Sequence, residues 1–394
     1  MSHNLWIQNR NFPTIPIIDD FIQLPLIVDS SLFYLMIVLL LISTFLKNKI
    51  YLISFFMILF FLLILDQMRW QPWVYIYILV LIPFLIKLEK KSFDSILNYF
   101  QLLFIGIYLW SGIHKFNPNF NEYIVEGFAR HLFNISHTGT LASIKSIGYI
   151  FPIFETLAAL FLIIPRTRKI GLFGIIIMHF FILIYISPLG MNYNYIILPW
   201  NIFMIFASII LFYNSKRVLI ILKNTFVHRL STLFILAIML LPMLNFFNYW
   251  DSYLSFSLYS GKIDSYYVLN KDSFSPAQIN YDIENYVMTE TEGQKQEILY
   301  IDYWANYELN VPMYPEERLF KKIAKLFCAE ESKSSDFIFL ITPLPMRKLY
   351  ESNNTSAEEN LINNTNEILF FRLKKSVNKN SFEYFVCDDL QFAN

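Results

Sequence analysis

Charged residues are scarce in this sequence, and over half of the chain they are nearly missing. Only 16% of the 394 residues are charged and 56% are hydrophobic, whereas soluble domains average about 25% charged. From Ser31 to about Tyr249 the chain is a series of long apolar runs, and the run from Ser95 to Gly112 has no charge at all. About 18 such residues are enough to cross a bilayer as a helix. The sequence therefore predicts an integral membrane protein.

Cysteine is also rare, and its rarity excludes several kinds of site. The two cysteines, Cys328 and Cys387, both lie in the C-terminal part of the chain, and no Cys-x-x-Cys or Cys/His metal spacing occurs. We therefore predict neither a metal site nor a cysteine relay. A disulfide between the two cysteines is expected if this part of the chain lies in an oxidising compartment. The net charge is zero, so no nucleic-acid partner is predicted.

Eight apolar segments are candidates for crossing the lipid bilayer. They are residues 31–46, 51–66, 73–86, 96–114, 148–164, 170–188, 196–213 and 230–249. The backbone within them must be helical, because lipid offers no hydrogen-bond partners to an exposed strand. The second and third segments are short, so seven or nine spans are open alternatives. The predicted fold class is an all-α polytopic membrane helix bundle of about eight spans, followed by a small α+β extramembrane C-terminal domain.

The distribution of Lys and Arg between alternate loops predicts the orientation of the bundle. Most of these residues fall on one side, in the loops 47–49, 87–91, 166–169 and 216–229. Cytoplasmic loops carry the excess of positive charge, so we predict a multi-pass protein of the cell (inner) membrane with both termini non-cytoplasmic. The N-terminus has no cationic start followed by an apolar core, so no cleavable signal peptide is predicted.

Composition divides the chain into three parts. Residues 1–30 mix apolar residues with proline and with Asp19 and Asp20, and we expect them to lie along the outer interface with Trp6 in the aromatic belt. Residues 31–250 form the transmembrane bundle. Residues 251–394 are polar and predict a periplasmic or lumenal α+β domain. Its predicted strands are Gln296–Tyr303, Asp336–Ile341, Glu367–Arg372 and Phe382–Cys387, and its predicted helix is Pro315–Phe327.

A lysine and a histidine at the end of the fourth span are candidates for chemistry. Lys115 stands where the apolar sequence ends, directly after His114, and Trp110 lies four residues before His114 on the same helix face. Lys115 is interpreted either as a side chain that reaches up to the interface or as a partly desolvated base. We therefore name Lys115 and His114 as candidate catalytic residues and Trp110 as a candidate cofactor contact.

Ionisable residues inside the other spans are costly in lipid, so each needs a partner or a role. Glu155 lies roughly 10 Å below the outer surface and must be protonated or paired. His179, in mid-span, makes either a helix–helix hydrogen bond or part of a catalytic group. Asp66 and Arg69, in the turn between the second and third spans, form either a structural ion pair or a cofactor contact. Together with Lys115 and His114, these residues predict one polar cavity that opens outward.

Four elements, in this order, resemble the horizontally transferred transmembrane (HTTM) domain, the membrane portion shared with vitamin K-dependent gamma-carboxylases. They are Gly112 with Lys115 at a helix end, Glu155 in the membrane, the Arg-Thr-Arg turn at 166–168, and His179 in mid-helix. The chain is also similar to the DoxX-like group of small redox-associated membrane proteins. The resemblance implies that Lys115 is the base that handles a reduced quinone, and it suggests the scaffold more strongly than the activity.

Two functions of different classes follow from these expectations. The first is an enzyme that acts on a quinone or lipid-like substrate at the outer leaflet, with Lys115 as base and with Glu155 and His179 holding or relaying a proton; the cofactor is otherwise unknown. The alternative is a non-enzymatic membrane anchor or complex subunit whose domain at 251–394 binds a protein partner through the aromatic segment 250–261. A transporter is less favoured, because few helices are broken by Gly or Pro and no inverted repeat is visible.

Overall fold

A computed structural model describes much of the chain in two compact units. The described residues are 2–7, 10–19, 21–22, 24–46, 48–85, 93–190, 197–215, 219, 226–257, 259–270, 287–289, 297–328, 337–342 and 383–391. The first unit comprises Tyr34–Leu59 and Trp70–Lys262. The second comprises Ser2–Phe33, Phe60–Arg69 and Ile263–Asn394.

The described residues up to residue 262 are mostly helical. Its α-helices are α1 (His3–Trp6), α2 (Leu26–Leu46), α3 (Lys49–Leu65), α4 (Pro72–Leu85), α5 (Phe93–His114), α6 (Glu126–Phe133), α7 (Thr138–Ile147), α8 (Ile150–Ile163), α9 (Arg168–Ile186), α10 (Ile197–Phe212) and α11 (Phe226–Leu240). A π-helical turn at Phe120–Val125 precedes α6. Short 3-10 segments lie at Gln67–Arg69, Leu241–Phe247 and Tyr253–Ser255.

The protein is an integral membrane protein, but the expected count of about eight spans is not confirmed. Among the described residues, four helices are long and apolar enough to cross a membrane: Leu26–Leu46, Ile96–His114, Thr138–Ile163 and Arg168–Ile186. The other predicted segments form shorter apolar helices of 10–17 residues. A helix such as α4, with 14 residues, extends only about 21 Å, which is less than the roughly 30 Å of a hydrocarbon core.

Helix α5 lies at the centre of the first unit. In the most apolar stretch of α5, 61% of the residues are buried, whereas the corresponding share in α9 is 33%. It packs on α8, α10 and α11, and α9 packs on both α8 and α10. Gly112 permits the close approach of α5 to α8, because a Cβ at this position would lie 2.9 Å from the backbone nitrogen of Thr156. Small residues serve the same purpose at helix contacts in membranes generally.

The C-terminal part of the second unit is a small antiparallel sheet with helices. The strands are β1 (Ser265–Asn270), β2 (Val287–Thr289), β3 (Glu297–Tyr300), β4 (Phe337–Thr342) and β5 (Glu383–Val386), in the order β2-β3-β1-β4-β5. The helices are α12 (Ile301–Leu309), α13 (Glu317–Cys328) and α14 (Cys387–Gln391). Helix α13 buries Leu319, Phe320, Ile323 and Phe327 along one stripe, as an amphipathic helix on a core does.

Several predicted elements of this domain are confirmed and others are wrong. The helix over 315–327 and the strands over 336–341 and 382–387 are present as α13, β4 and β5. The strand predicted over 296–303 ends at Tyr300, because Ile301, Trp304 and Ala305 have helical spacing and are buried on one face of α12. Strands β1 and β2 were not predicted from the sequence. The predicted strand over 367–372 lies outside the described residues.

The N-terminal segment packs on this sheet domain within the second unit. The ring of Phe12 contacts that of Trp304, with centroids 4.8 Å apart. The Lys322 ammonium donates to the carbonyl of Pro16 at 2.7 Å, and it is also 2.7 Å from the Asp19 carboxylate. Phe12 is buried by this packing, whereas Ile18 and Ile22 are exposed, so the expected interfacial position of residues 1–30 stays a prediction. The domain boundaries expected from composition stay a prediction.

Two further expectations concern the disulfide and the aromatic segment 250–261. The predicted disulfide is confirmed, since Cys328 and Cys387 are bonded and join the end of α13 to the start of α14. In the aromatic segment 250–261, Tyr253 and Phe256 are buried and Tyr259 is exposed, so the expected docking surface stays a prediction. Within the first unit, Phe256 belongs to the hydrophobic core of the bundle. Tyr253 and Phe256 therefore serve packing.

Candidate functional site

Lys115 and Glu155 form a buried ion pair in the first unit. The Nζ of Lys115 donates to Oε2 of Glu155 at 2.5 Å and to the Oγ of Ser111 at 3.1 Å. Only 9% of Lys115 and 4% of Glu155 is exposed. Glu155 is thus paired, as a carboxylate at this depth requires, and the two charges compensate each other.

The local structure explains why the two side chains meet. Lys115 directly follows the last residue of α5, and Ser111 lies one helical turn earlier on the same face. Glu155 lies on α8 next to Thr156, the residue that Gly112 approaches most closely. The close crossing of α5 and α8 therefore places the ammonium and the carboxylate within hydrogen-bond reach.

A second polar group is built around His179. Its Nε2 lies 3.1 Å from the hydroxyl of Tyr108, and that hydroxyl lies 2.8 Å from the Oγ of Ser208. The Nδ1 lies 2.7 Å from Oδ1 of Asn201, whose Nδ2 donates to the carbonyl of Ile197 at 2.8 Å. Helices α5, α9 and α10 each contribute to this group. It satisfies the expectation of an interhelical hydrogen bond at His179.

The two groups are neighbours but are not directly bonded. Tyr108, Ser111 and Lys115 follow one another along a single face of α5. The Glu155 carboxylate interacts electrostatically with the Tyr108 hydroxyl and with the His179 ring. Among the described residues, no hydrogen bond joins the ion pair to the histidine group.

His114 and Trp110 face a different part of the bundle. The His114 ring stacks on Phe246, with centroids 4.7 Å apart, and the Trp110 indole donates to the carbonyl of Met239 at 3.2 Å. His114 is 1% exposed, and within the described part of the chain neither ring nitrogen has a well-aligned hydrogen bond. Electrostatically, its ring interacts with the ammonium of Lys262. The structure therefore does not bring these two residues to the Lys115–Glu155 pair.

Asp66 and Arg69 belong to the second unit and have protein partners there. The guanidinium of Arg69 is 2.9 Å from the carboxylate of Asp29, and Asp66 forms an ion pair with Arg10. Arg69 also donates to the carbonyls of Leu5, Leu62 and Trp6. All of these charged side chains are buried. The six residues expected to share one cavity are thus divided between the two units, and a cofactor contact at Asp66 and Arg69 stays a prediction.

Sequence reasoning missed several polar residues of the bundle. Tyr108, Asn201 and Ser208 complete the histidine group. Gln101, at the other end of α5, donates to the carbonyl of Leu211 at 2.6 Å, and Arg168, already noted in the Arg-Thr-Arg turn, donates to the carbonyl of Leu162 at 2.8 Å. These last two contacts provide hydrogen-bond donors for carbonyl groups at the C-terminal ends of α10 and α8, which have no partner within their own helix. For Gln101 and Asn201, the signal in the sequence was an isolated amide side chain inside an apolar run. Within the described residues, no cluster of His, Cys, Asp or Glu is arranged to hold a metal ion.

Comparison with known proteins overturns the resemblance to the HTTM domain and to the DoxX-like group. The family profile that matches is that of methylamine utilisation protein MauE, over residues 93–196. This is a different membrane family, and the match covers about a quarter of the chain. Two of the elements on which that resemblance rested have structural roles. Gly112 permits the close crossing of α5 and α8, and Arg168 donates to a carbonyl near the end of α8. No curated protein and no solved structure matches the chain. Lys115, Glu155 and His179 all lie within the segment that is similar to MauE.

Proposed function

We propose that the protein binds a hydrophobic molecule, a quinone or a lipid-like compound, at the Lys115–Glu155 pair and exchanges a proton with it. The buried ion pair supports this proposal. Replacing such a pair by well-packed apolar residues is often neutral or stabilising, so stability alone does not explain its presence. Ionisable residues inside membrane segments are rare and often mark functional sites.

The contact between the two side chains suggests the role of each group. Lys115 lies within hydrogen-bond distance of Glu155, and we assign the lysine as the ammonium of an ion pair and Glu155 as the base, which differs from the role expected for Lys115. An O–H group of the substrate would lose its proton to Glu155, and the ammonium would stabilise the oxygen anion that remains. Tyr108 and His179 lie close enough to sense this change of charge.

We also propose the membrane topology that the charge distribution predicts, with eight spans and both termini non-cytoplasmic. The Cys328–Cys387 disulfide supports it, since disulfides persist in oxidising compartments. The alternative function is a membrane anchor that binds a partner through residues 251–394, and of the aromatic residues expected to dock that partner, Tyr259 is exposed. The similarity to methylamine utilisation protein MauE is compatible with either role in the membrane.

The test is to identify what co-purifies with the full chain. Protein purified in mild detergent is extracted with organic solvent, and quinones and lipids are measured by mass spectrometry against the bulk membrane extract. We expect one compound to be enriched with the wild type and to be lost from the double variant Lys115→Met/Glu155→Leu. The matched control is Lys321→Met/Glu317→Leu, which removes an exposed ion pair of α13. Equal extracts from the wild type and from the first double variant would refute the proposal.

A further inference from the structure

The Lys115–Glu155 pair retains hydrogen-bonding capacity that no described residue satisfies. An ammonium has three N–H donors, and Lys115 uses two of them, on Glu155 and Ser111. Oε1 of Glu155 accepts no hydrogen bond from a described residue, and the Ser111 hydroxyl accepts from Lys115 without donating to one. One acceptor and two donors around the pair are therefore left for a bound molecule.

This pattern restricts the polar group that fits. A carboxylate oxygen can only accept, while an ammonium can only donate. A ligand atom between them must therefore donate in one direction and accept in the other. A hydroxyl group does both, whereas an ether or carbonyl oxygen only accepts and would set its lone pairs against Oε1. Two acceptors that face each other leave a polar atom of a largely buried pair without its hydrogen bond, which costs free energy.

We infer that the polar atom of the molecule bound at this site is a hydroxyl group. Its O–H donates to Oε1 of Glu155, and its oxygen accepts from Nζ of Lys115, with the Ser111 hydroxyl as second donor. The inference rests on the proposed function and narrows it to an alcohol, a phenol or a reduced quinone. It also explains how the proton reaches Glu155, since the O–H that donates is the bond that breaks when the carboxylate takes the proton.

Two probes that differ only at the oxygen test this inference. Saturable binding of 4-nonylphenol and of its methyl ether, 4-nonylanisole, is measured by equilibrium dialysis on the full chain in nanodiscs, with empty nanodiscs subtracted. We expect the phenol to bind about tenfold more tightly or better, the ratio for one hydrogen bond to a charged group. Equal affinities for the two probes would overturn the inference and leave the proposed function standing. No saturable binding of either probe would refute both.

The variant Glu155→Gln replaces the acceptor Oε1 with a hydrogen-bond donor. Its amide oxygen must face Lys115, so its NH₂ group faces the ligand and donates where Oε1 accepted. We expect the preference for the phenol to disappear while the anisole binds at least as well as before. The matched control is Glu122→Gln, at a half-exposed glutamate paired with Lys145, which should keep the wild-type preference. A phenol preference that survives Glu155→Gln would contradict the inference.

A second variant keeps the test decisive if Glu155→Gln does not fold. Ser111→Ala removes one donor from the pair and changes no charge. It should weaken both probes by a similar factor without altering their ratio, since both oxygens accept from the serine. Unchanged binding of both probes would mean that they bind elsewhere, which would overturn the assignment of the hydroxyl to this site.

Discussion

Oδ1 of Asn201 lies 2.7 Å from Nδ1 of His179, and this contact determines the tautomer of the histidine. The amide nitrogen of Asn201 must face the carbonyl of Ile197, to which it donates, so the oxygen faces the ring. Only a protonated Nδ1 can satisfy that oxygen. Nε2 then accepts from the Tyr108 hydroxyl, and the Tyr108 oxygen accepts from Ser208.

The first prediction is that His179 is neutral and carries its proton on Nδ1 at pH 7. Nitrogen-15 NMR of histidine-labelled protein measures this directly, and the resonances of His179 are identified by their loss in His179→Gln. Tyr108→Phe should leave the tautomer unchanged, whereas Asn201→Leu should allow the proton to reside on either ring nitrogen. A wild-type ring protonated on Nε2 would contradict the hydrogen-bond chain.

The second prediction concerns the cost of breaking the Lys115–Glu155 pair. Lys115→Met alone or Glu155→Leu alone leaves an unpaired buried charge, so each should lower the free energy of unfolding by about 3–5 kcal/mol. The double variant should recover most of that loss. Unfolding by SDS in mixed micelles measures the three values.

The exposed pair Lys321–Glu317 provides the control for this cycle. Its side chains are 41% and 48% exposed, and surface pairs contribute about 0–1 kcal/mol. Its single and double variants should all lie close to the wild type. Additive losses at Lys115 and Glu155 would show that the two residues do not act as a pair.

The third prediction tests the crossing of α5 and α8. A methyl group on Gly112 would meet the backbone of Thr156, which cannot move aside as a flexible side chain can. Gly112→Ala should therefore cost about 1–3 kcal/mol and weaken probe binding at Lys115. Gly139→Ala, on an exposed face of α7, is the control and should be close to neutral. A fully stable Gly112→Ala protein would mean that the crossing is looser than described.

The sequence predicts elements of this protein better than it predicts which side chains meet. The charge-free runs predict the apolar helices, and Pro315 with the following acidic residues predicts α13, because these signals are local. Glu155 was expected to need a partner, but the partner depended on a helix crossing set by Gly112. The expected Asp66–Arg69 pair is only a 3.9 Å contact, since each residue meets its main partner far away in the chain. Such pairings depend on tertiary structure, which periodicity does not encode.

The fourth prediction concerns the disulfide of the C-terminal domain. Cys328 and Cys387 close a loop of 59 residues, and a cross-link of this length stabilises a fold by roughly 2–4 kcal/mol. Cys328→Ser/Cys387→Ser should lower the melting temperature of the full chain, and reductant should lower that of the wild type equally. Alkylation of both thiols in denatured, unreduced protein would show that the bond does not form.

The fifth prediction is a pH dependence of stability that originates at Asp302. Burial raises the pKa of this carboxyl to about 6, although the Met313 backbone N–H, at 3.0 Å, and the Tyr300 hydroxyl both donate to it and favour the charged form. Between about pH 4 and pH 6 the folded protein therefore holds a proton that the unfolded chain has lost. Stability from this group is present below about pH 4 and is lost as the pH rises through 6.

Asp302→Asn isolates this contribution, because the amide oxygen still accepts from Met313, the amide NH₂ can donate to the Tyr300 hydroxyl, and the side chain does not ionise. At pH 7 the variant should be more stable than the wild type by an amount on the order of 1–3 kcal/mol, and the two proteins should converge near pH 4. Asp388→Asn, at an exposed carboxylate of the same domain, should leave the pH profile unchanged. Melting temperatures of the full chain in detergent from pH 4 to pH 8 measure the difference. Parallel profiles for Asp302→Asn and the wild type would show that Asp302 ionises in the folded protein as it does in the unfolded chain.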